Sequence, residues 1–256
     1  MRKLNGRFAE RLAIDEEKIF EVSFATQADS LKIFNLCQDN LWLILEEKLF
    51  LNFDSSKFVV RQLAARILTM SQAAMRLALF GYTQEAMSIA RVVEEAIQVS
   101  FYLSFHEKDV PNYLAGKLKV SQILKLNRKL NVLGLGDAGQ ELWGYLSNFA
   151  HAKPETIFQL AQEEAGNFAL HLLYSSQEGI GNLCAQLNIN FFKFYCWYRL
   201  LFRDLAAVPE EVEKNDVKLF LSTSSSEVFP DEMTQLLPKF YSLLYPLSSA
   251  QEAKDL

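Results

Sequence analysis

Residues 84–105 read QEAMSIARVVEEAIQVSFYLSF, and their pattern is typical of a helix that is buried on most sides. At about 100° per residue, their apolar side chains cover roughly 200° of the helix surface. A helix at the surface of a globular protein needs a much narrower apolar face. The stretch therefore predicts a protein in which several other helices surround it. The residues in the wide arc are Ile89, Val92, Val93, Ala96, Ile97, Val99, Ser100, Phe101 and Leu103.

Helical periodicity recurs on both sides of this stretch. Gly81 is expected to end the preceding helix, because a residue without a Cβ adopts the left-handed conformation easily. Thr83 is expected to cap the helix that follows. Between 167 and 205 the apolar positions keep one phase, which predicts one long helix that can kink at Gly179 and Gly181. Helices are predicted over residues 29–53, 56–80, 84–105, 109–131, 140–151 and 167–205.

These helices predict an all-α fold, a single-domain helical bundle of about six to eight helices around the long helix near the carboxyl end. We expect residues 1–206 to form the helical domain and residues 207–256 to form an extension packed on it, with a mobile loop at 222–226 and a short helix. Alternation over residues 19–24 leaves a short strand open as an alternative. Aromatic residues on all sides of the long helix predict that it lies in the core, with a self-association surface as the alternative. They are Phe191, Phe192, Phe194, Tyr195, Trp197, Tyr198 and Phe202.

Composition narrows the function classes before any motif is considered. With 10 glycines, 6 prolines, 20 phenylalanines and 50% hydrophobic residues, the chain is neither collagen-like nor intrinsically disordered. Its three cysteines are far apart in sequence, so neither a disulfide framework nor a zinc site is indicated, and reduced thiols are expected. No secretory signal and no apolar run of about 18 residues is found, so we expect a cytoplasmic protein without a membrane partner.

Residues 134–139 have the letters of the GxGxxG turn that binds the pyrophosphate of a dinucleotide. That site requires a buried strand directly before the turn, whereas residues 121–129 have the pattern of a basic amphipathic helix. We interpret the glycines as a turn between helices, and we expect neither a cofactor nor a metal ion.

The remaining arc of the 84–105 helix carries a polar stripe. It fits a polar cleft in which Glu94 or Glu95 is an acid or base and Arg91 holds an anion. It fits equally well a narrow solvated face that an Arg91–Glu95 pair stabilises. The stripe consists of Arg91, Glu94, Glu95, Gln98 and Tyr102.

Ser147 and His151 lie one helical turn apart and next to Gly144, where a hydroxyl and an imidazole can touch and a ligand has room. The pair fits a ligand-binding site or, with a carboxylate and an oxyanion hole, a hydrolase. His151 can equally be a structural cation beside the last carbonyls of its helix.

The stretch 90–103 contains an Arg…Glu helix, and residues 145–151 contain the motif Leu-Ser-x-x-x-His. In this combination the sequence resembles an uncharacterised group of bacterial all-helical proteins, which look distantly like the HEPN superfamily. The likeness covers residues 85–155. It implies that the polar stripe, Ser147 and His151 converge on one polar cluster.

The same resemblance implies a binding protein rather than a nuclease. HEPN ribonucleases depend on an arginine that lies a few positions before a histidine. In this chain no arginine lies within the ten residues before His106, His151 or His171.

Residues 111–136 contain five cations and no acidic residue, on a chain whose net charge is −5. Such a local excess attracts a phosphate-bearing ligand or nucleic acid. The alternative is a solvated face that balances acidic neighbours such as residues 210–213. The cations are Lys117, Lys119, Lys125, Arg128 and Lys129.

Taken together, these features favour a non-catalytic binding or regulatory module whose polar cluster takes a phosphate-bearing ligand or RNA. One alternative is a hydrolase or nuclease that uses Glu94 or Glu95 with His151. The other is a homo-oligomeric scaffold in which the polar cluster only fixes the packing of the helices.

Overall fold

The structure is a computed structural model that describes residues 7–47, 55–130, 161–164, 167–170, 173, 176–203, 209–224, 238 and 240–245. In these ranges almost every element is an α-helix, which confirms the predicted all-α helical bundle. One antiparallel hairpin joins the strands β1 (Ala161–Glu164) and β2 (Asn167–Leu170). The helices are α1 (Arg7–Thr26), α2 (Ala28–Glu46), α3 (Ser56–Leu79), α4 (Thr83–Phe105), α5 (Val110–Leu114), α6 (Val120–Leu130), α7 (Gln177–Phe202) and α8 (Glu210–Ser224).

The ends of α3 follow directly from its sequence. The Oγ of Ser55 accepts a hydrogen bond from the N–H of Phe58 at 3.1 Å and so caps the first turn. Gly81 has φ +86°, and the N–H groups of Gly81 and Tyr82 donate back to α3 carbonyls at 3.0 and 2.8 Å. The prediction that Gly81 ends this helix in the left-handed conformation is therefore confirmed. The prediction for Thr83 is wrong, because Thr83 is already helical and Tyr82 occupies the cap position without a side-chain hydrogen bond.

The prediction of one helix over residues 109–131 is wrong, because the structure has two helices there, α5 and α6. Gly116 separates them with φ +70°, a backbone conformation that side chains other than hydrogen disfavour. Its N–H donates to the carbonyl of Tyr113 and the N–H of Lys117 donates to that of Asn112, each at 2.9 Å. These two bonds end α5 in the same way that Gly81 ends α3.

The long helix is shorter than predicted, since α7 begins at Gln177. Residues 167–170 instead pair with β1. The Oγ of Ser176 accepts the N–H of Gly179 at 3.3 Å, at the start of the helix. Only a few apolar positions supported a helix between 167 and 176. At residues 167–170, strand pairing satisfies the backbone hydrogen-bonding groups as well as a helix would.

The structure excludes the alternative of a short strand at residues 19–24, and it corrects part of the loop expected at 222–226, of which residues 225 and 226 lie outside the described ranges. Residues 19–24 belong to α1, where Phe20 packs on Phe24 one turn later, with ring centroids 5.5 Å apart. Residues 222–224 belong to α8 rather than to a loop. Three glutamates in the first turn of α8 favour that helix, because negative charge is stabilised at a helix N-terminus.

The chain divides into two compact units, each built from two separate stretches of sequence. The first unit combines Met1–Ala28 with Phe53–Leu187, and the second combines Asp29–Asn52 with Asn188–Leu256. The expected boundary between residues 206 and 207 stays a prediction, because compactness does not show which part folds on its own.

In the first unit, α3 and α4 pack against each other and α6 packs on α4. A small apolar core forms where α3, α4, α5 and α6 meet. This core places the turn between α5 and α6 beside the carboxyl half of α4. Its buried residues are Val59, Val99, Tyr102, Leu103, Val110 and Ile123.

In the second unit, α2 and α7 run parallel, because their contacts advance in the same direction along both helices. The Nδ2 of Asn188 donates to the backbone oxygen of Ser30 at 2.8 Å. Further along, the rings of Phe34 and Phe191 lie 5.2 Å apart. The seven aromatic residues predicted to be in the core are all buried, which confirms that prediction and leaves the predicted oligomer untested.

Candidate functional site

Two of the five residues of the polar stripe on α4 lie in the contact with α6. Glu94 and Gln98 are only 4% and 3% exposed. The Nε2 of Gln98 donates to Oε1 of Glu94 at 2.8 Å. The Nδ2 of Asn127 on α6 donates to the carbonyl oxygen and to Oε1 of Gln98, at 2.7 and 2.9 Å. These side chains therefore satisfy one another between two helices, which is what a packing role requires.

Arg91 and Glu95 form the ion pair that the helical spacing predicts. The Nη2 of Arg91 lies 3.1 Å from Oε1 of Glu95, and the two side chains are 21% and 24% exposed. A partly solvated pair at this spacing stabilises a helix by about 0.2–0.5 kcal/mol. The Arg91–Glu95 pair is therefore present, and the choice between a solvated face and an anion clamp stays a prediction.

Tyr102 contacts residues that follow α4. Its hydroxyl donates to Oδ2 of Asp109 at 2.6 Å, and its ring stacks on the ring of His106 at 4.3 Å. Burial raises the pKa of Tyr102 to about 12, and the hydrogen bond to Asp109 acts in the same direction. The phenol is thus held neutral. The sequence singled out Tyr102 but not its partners, which lie beyond the end of the helix.

Ser147 and His151 lie outside the described residues, so their convergence with the stripe stays a prediction. The structure brings Glu94 next to Gln98 and Arg91 next to Glu95, and it places Tyr102 further along the helix with separate partners. The distance between Glu95 and His151, on which the hydrolase alternative depends, is likewise outside the described part.

The basic segment lies on the surface of the first unit. Lys117, Lys119 and Lys125 are exposed, and none of them forms an ion pair with another residue of the described ranges. Arg128 and Lys129 belong to α6, but their side chains are outside the description. Gly116 directs the chain into this segment through its left-handed turn.

Arg66 adds a cation that sequence reasoning missed. Burial raises the pKa of Tyr113 while the positive charge of Arg66 lowers it, so the guanidinium acts on the ring beside the Gly116 turn. Arg66 is exposed and belongs to α3. No signal in the sequence relates it to the lysines, because about 50 residues separate them and only the packing of α3 near α5 relates the two.

The second unit contains a buried polar cluster that sequence reasoning also missed. The Nε and Nη2 atoms of Arg199 donate to Oδ2 of Asp216 at 3.1 and 2.9 Å. The hydroxyl of Tyr195 donates to Oδ1 of Asp216. The Nδ2 of Asn40 donates to Tyr195 and to Asp216 at 2.9 and 3.2 Å. The hydroxyl of Tyr245 donates to Oδ2 of Asp216 at 2.8 Å.

One signal could have revealed this cluster. Arg199 lies in a stretch that is apolar on all sides, and a charge inside such a helix needs a partner of opposite sign. Burial, and then the charge of Asp216, raises the pKa of Tyr195 well above its usual value, so the phenol stays protonated. The identity of the partner, Asp216 on α8, depends on the fold.

Burial disfavours the thiolate form of the three cysteines. Cys37, Cys184 and Cys196 are unbridged, as predicted. Burial raises the pKa of Cys184 to about 12, and it raises the pKa of Cys37 and Cys196 well above the usual value. All three thiols are therefore protonated at neutral pH, whereas a nucleophile must be a thiolate.

Comparisons with protein-family models, with curated proteins and with solved structures find no match. The resemblance to the HEPN superfamily therefore stays a prediction. None of the described helices is both long and apolar enough to span a bilayer. Among the described side chains, no three His, Cys, Asp or Glu residues are grouped in a way that could hold a metal ion.

Proposed function

We propose that this chain is a cytoplasmic, non-catalytic binding protein for a phosphate-bearing ligand, with RNA as the favoured ligand. Its binding surface consists of Arg66, Lys117, Lys119 and Lys125, called the basic surface below. The observation that carries the proposal is the exposure of three lysines in a segment without acidic residues, on a chain whose net charge is −5. Exposed cations that form no ion pair within the described ranges are available to neutralise phosphates.

The local backbone supports this role for the lysines. Lys117 and Lys119 are exposed, while Leu118 between them packs on the small core of the first unit. The N–H of Lys117 is held by α5, and the N–H of Lys119 donates to Oε1 of Gln122 at 2.9 Å. The chain is thereby fixed at both lysines while their side chains extend into solvent. A backbone that is already fixed loses less conformational entropy when its lysines bind an anion.

The polar stripe supports ligand binding less well than the basic surface does. Glu94 and Gln98 are hydrogen-bonded to each other between α4 and α6, and Tyr102 donates to Asp109. A buried and satisfied carboxylate is a poor candidate for an acid or base, because the catalyst must reach the substrate. The hydrolase and the homo-oligomeric scaffold stay alternative predictions.

Salt-dependent titration tests the proposal. A fluorescent single-stranded RNA, a mononucleotide and inorganic phosphate are titrated with the full chain at about 50 and about 200 mM salt. We expect RNA binding that weakens steeply with salt, because each neutralised phosphate of a single strand contributes about 0.7 to the slope of log K against log salt. If the mononucleotide binds and RNA binds no more tightly than the mononucleotide does at low salt, the proposal is restricted to a small ligand. No binding of any ligand at low salt would overturn it.

Two variants with equal net charge separate the basic surface from general electrostatics. In K117Q/K119Q/K125Q we expect the salt slope for RNA to fall by about 2, as three phosphate contacts of about 0.7 each predict. The control K18Q/K32Q/K214Q removes three exposed lysines elsewhere and should keep the wild-type slope. Equal losses in both variants would show that only the total charge matters.

A further inference from the structure

Residues 240–245, called the strap below, lie across α7 and α8 of the second unit. The ring of Tyr241 packs on the ring of Phe220 in α8, with centroids 5.6 Å apart, and the rings of Tyr241 and Tyr245 lie 4.9 Å apart. The Nη1 of Arg203 donates to the carbonyl oxygen of Leu243 at 3.3 Å. These contacts attach the strap to α8 and to Arg203, which follows α7.

The hydroxyl of Tyr245 is the point at which the strap meets the buried ion pair. It accepts from Nη2 of Arg199 at 3.1 Å and donates to Oδ2 of Asp216 at 2.8 Å. The side chains of Arg199 and Asp216 are only 3% and 2% exposed. One neutral group thus hydrogen-bonds to both members of the pair.

The strap itself is not buried. Among its described residues none belongs to the buried class, and Leu243 is 53% exposed. By contrast Tyr195, Tyr198 and Phe202 of α7 are 0%, 0% and 1% exposed. Elements with little buried apolar surface open at a lower free energy than the core of the same protein. The strap therefore has the properties of a segment that opens while α7 and α8 stay folded.

We propose that the strap is a reversible latch, with the hydroxyl of Tyr245 as its catch, and that its opening uncovers a binding site for a neutral hydroxyl group. The chemistry of the site follows from the contacts of Tyr245. A charged group in its place would be attracted by one member of the ion pair and repelled by the other, so the pair as a whole would not offset the cost of burying that charge. A hydroxyl can accept from the guanidinium and donate to the carboxylate at the same time.

A neighbouring side chain, Asn40, donates to the other carboxylate oxygen of Asp216. Asn40 is fully buried, and its Nδ2 faces Tyr195 and Asp216. The negative charge of Asp216 fixes this orientation of the amide, because the reverse orientation would place two acceptors together. Oδ1 of Asn40 has no hydrogen-bond partner among the described residues.

Native-state hydrogen exchange of the full chain tests the latch. The N–H of Tyr245, which donates to the carbonyl oxygen of Tyr241 at 2.9 Å, reports on the strap, and amides of Phe194 and Tyr198 report on α7. We expect the Tyr245 amide to exchange at least tenfold faster than global unfolding allows, with the α7 amides protected. Exchange of all these amides with one common opening constant would overturn the latch.

Two variants on the strap test the catch. Tyr245→Phe removes the hydroxyl and keeps the ring, so we expect the strap to open about tenfold to a hundredfold more often, as the loss of hydrogen bonds to charged partners predicts. The control Leu243→Ala shortens an exposed side chain of the same segment and keeps the carbonyl that Arg203 contacts. An equal effect of both variants would show that the hydroxyl is not the catch.

Small-molecule rescue tests the hydroxyl site. In Tyr245→Ala, p-cresol can occupy the place of the missing side chain, and toluene has nearly the same size without the hydroxyl. We expect p-cresol at millimolar concentration to restore protection to the amides of α8 by at least threefold more than toluene does. Equal effects of the two compounds, or no effect of p-cresol, would contradict a site for a hydroxyl.

If Tyr245→Ala does not fold, p-cresol is added to the wild-type chain, where it should speed exchange of the Tyr245 amide more than toluene does. No difference between the compounds there would overturn the site.

Discussion

Nη2 of Arg199 lies 2.9 Å from Oδ2 of Asp216, and both side chains are almost completely excluded from solvent. Burial lowers the pKa of Arg199, but the neighbouring Tyr195 and Asp216 raise it by more, so the guanidinium stays charged. An ion pair of this kind is costly to break, because the member that remains is left as an unpaired buried charge.

Arg199→Met should therefore destabilise the protein by about 3–5 kcal/mol, because Asp216 loses its charged partner in the core. The free energy of unfolding from urea titration measures the loss. The control is Lys214→Gln on α8, whose ion pair with Glu210 has side chains 67% and 79% exposed. That variant should cost less than about 1 kcal/mol, as surface ion pairs do. A cost below about 1 kcal/mol for Arg199→Met would argue against the buried pair.

The hydrogen bonds between α4 and α6 predict a second large effect. Asn127→Ala leaves Oε1 of Gln98 without its donor from α6, and a buried polar group that loses its partner costs about 1–3 kcal/mol. Ser121→Ala, at an exposed position of the same helix, should change the free energy of unfolding by less than about 0.5 kcal/mol. Both are measured by urea unfolding. Similar values for the two variants would mean that Asn127 is not part of a buried network.

Gly116 allows the cost of a positive φ to be measured separately from the cost of side-chain packing. A Cβ at this position would meet no atom within 4 Å, so the cost of Gly116→Ala comes from the positive φ alone. We expect a loss of about 1–2 kcal/mol for alanine and a smaller loss for asparagine, which adopts the left-handed region more easily. Thermal or urea unfolding distinguishes the two variants. Equal stability of the alanine variant and the wild type would show that this turn can adopt another conformation at no cost.

Tyr102 predicts a loss of stability at alkaline pH. Its pKa is about 12 in the folded protein and about 10 in the unfolded chain, so between these values the unfolded state releases its proton first. The stabilising contribution of the protonated phenol is complete below pH 10 and disappears as pH rises to 12. Its full size is about 2–3 kcal/mol.

The measurement compares wild type with Tyr102→Phe in urea unfolding at several pH values from about 9 to about 12. The stability advantage of the wild type over the variant should shrink through this window, because phenylalanine has no proton to lose. A constant difference between the two proteins would show that the pKa of Tyr102 is the same in both states.

Patterns that involve neighbouring residues predicted the structure well. The apolar arc of residues 84–105 and the glycine at 81 each act within a few residues, and the helices that they predict are present. Periodicity failed where it had to choose between two ways of satisfying the backbone. It did not detect the break at Gly116 or the strand at 167–170, because apolar positions remain in phase across both.

The candidate sites show the same division. The exposed lysines 117, 119 and 125 could be named from the sequence, since a run of cations without acidic residues is a local property. Their companion Arg66 could not be named, and neither could the partner of Arg199. Such partners depend on which helix packs against which, and many sequence-distant carboxylates were equally available to Arg199.

Helix content, the end of α3 at Gly81 and the charge of the 111–136 segment thus follow from short-range physics, in which propensity, capping and periodicity act along one stretch of chain. The division into two units, the parallel contact of α2 with α7 and the buried cluster around Asp216 follow from long-range packing. In that packing, a buried charge or amide selects whichever partner the fold brings within hydrogen-bond distance. For this reason the polar stripe of α4, which the sequence presents as one group, separates in the folded chain into two buried residues under α6, a partly buried ion pair and a tyrosine that donates to Asp109.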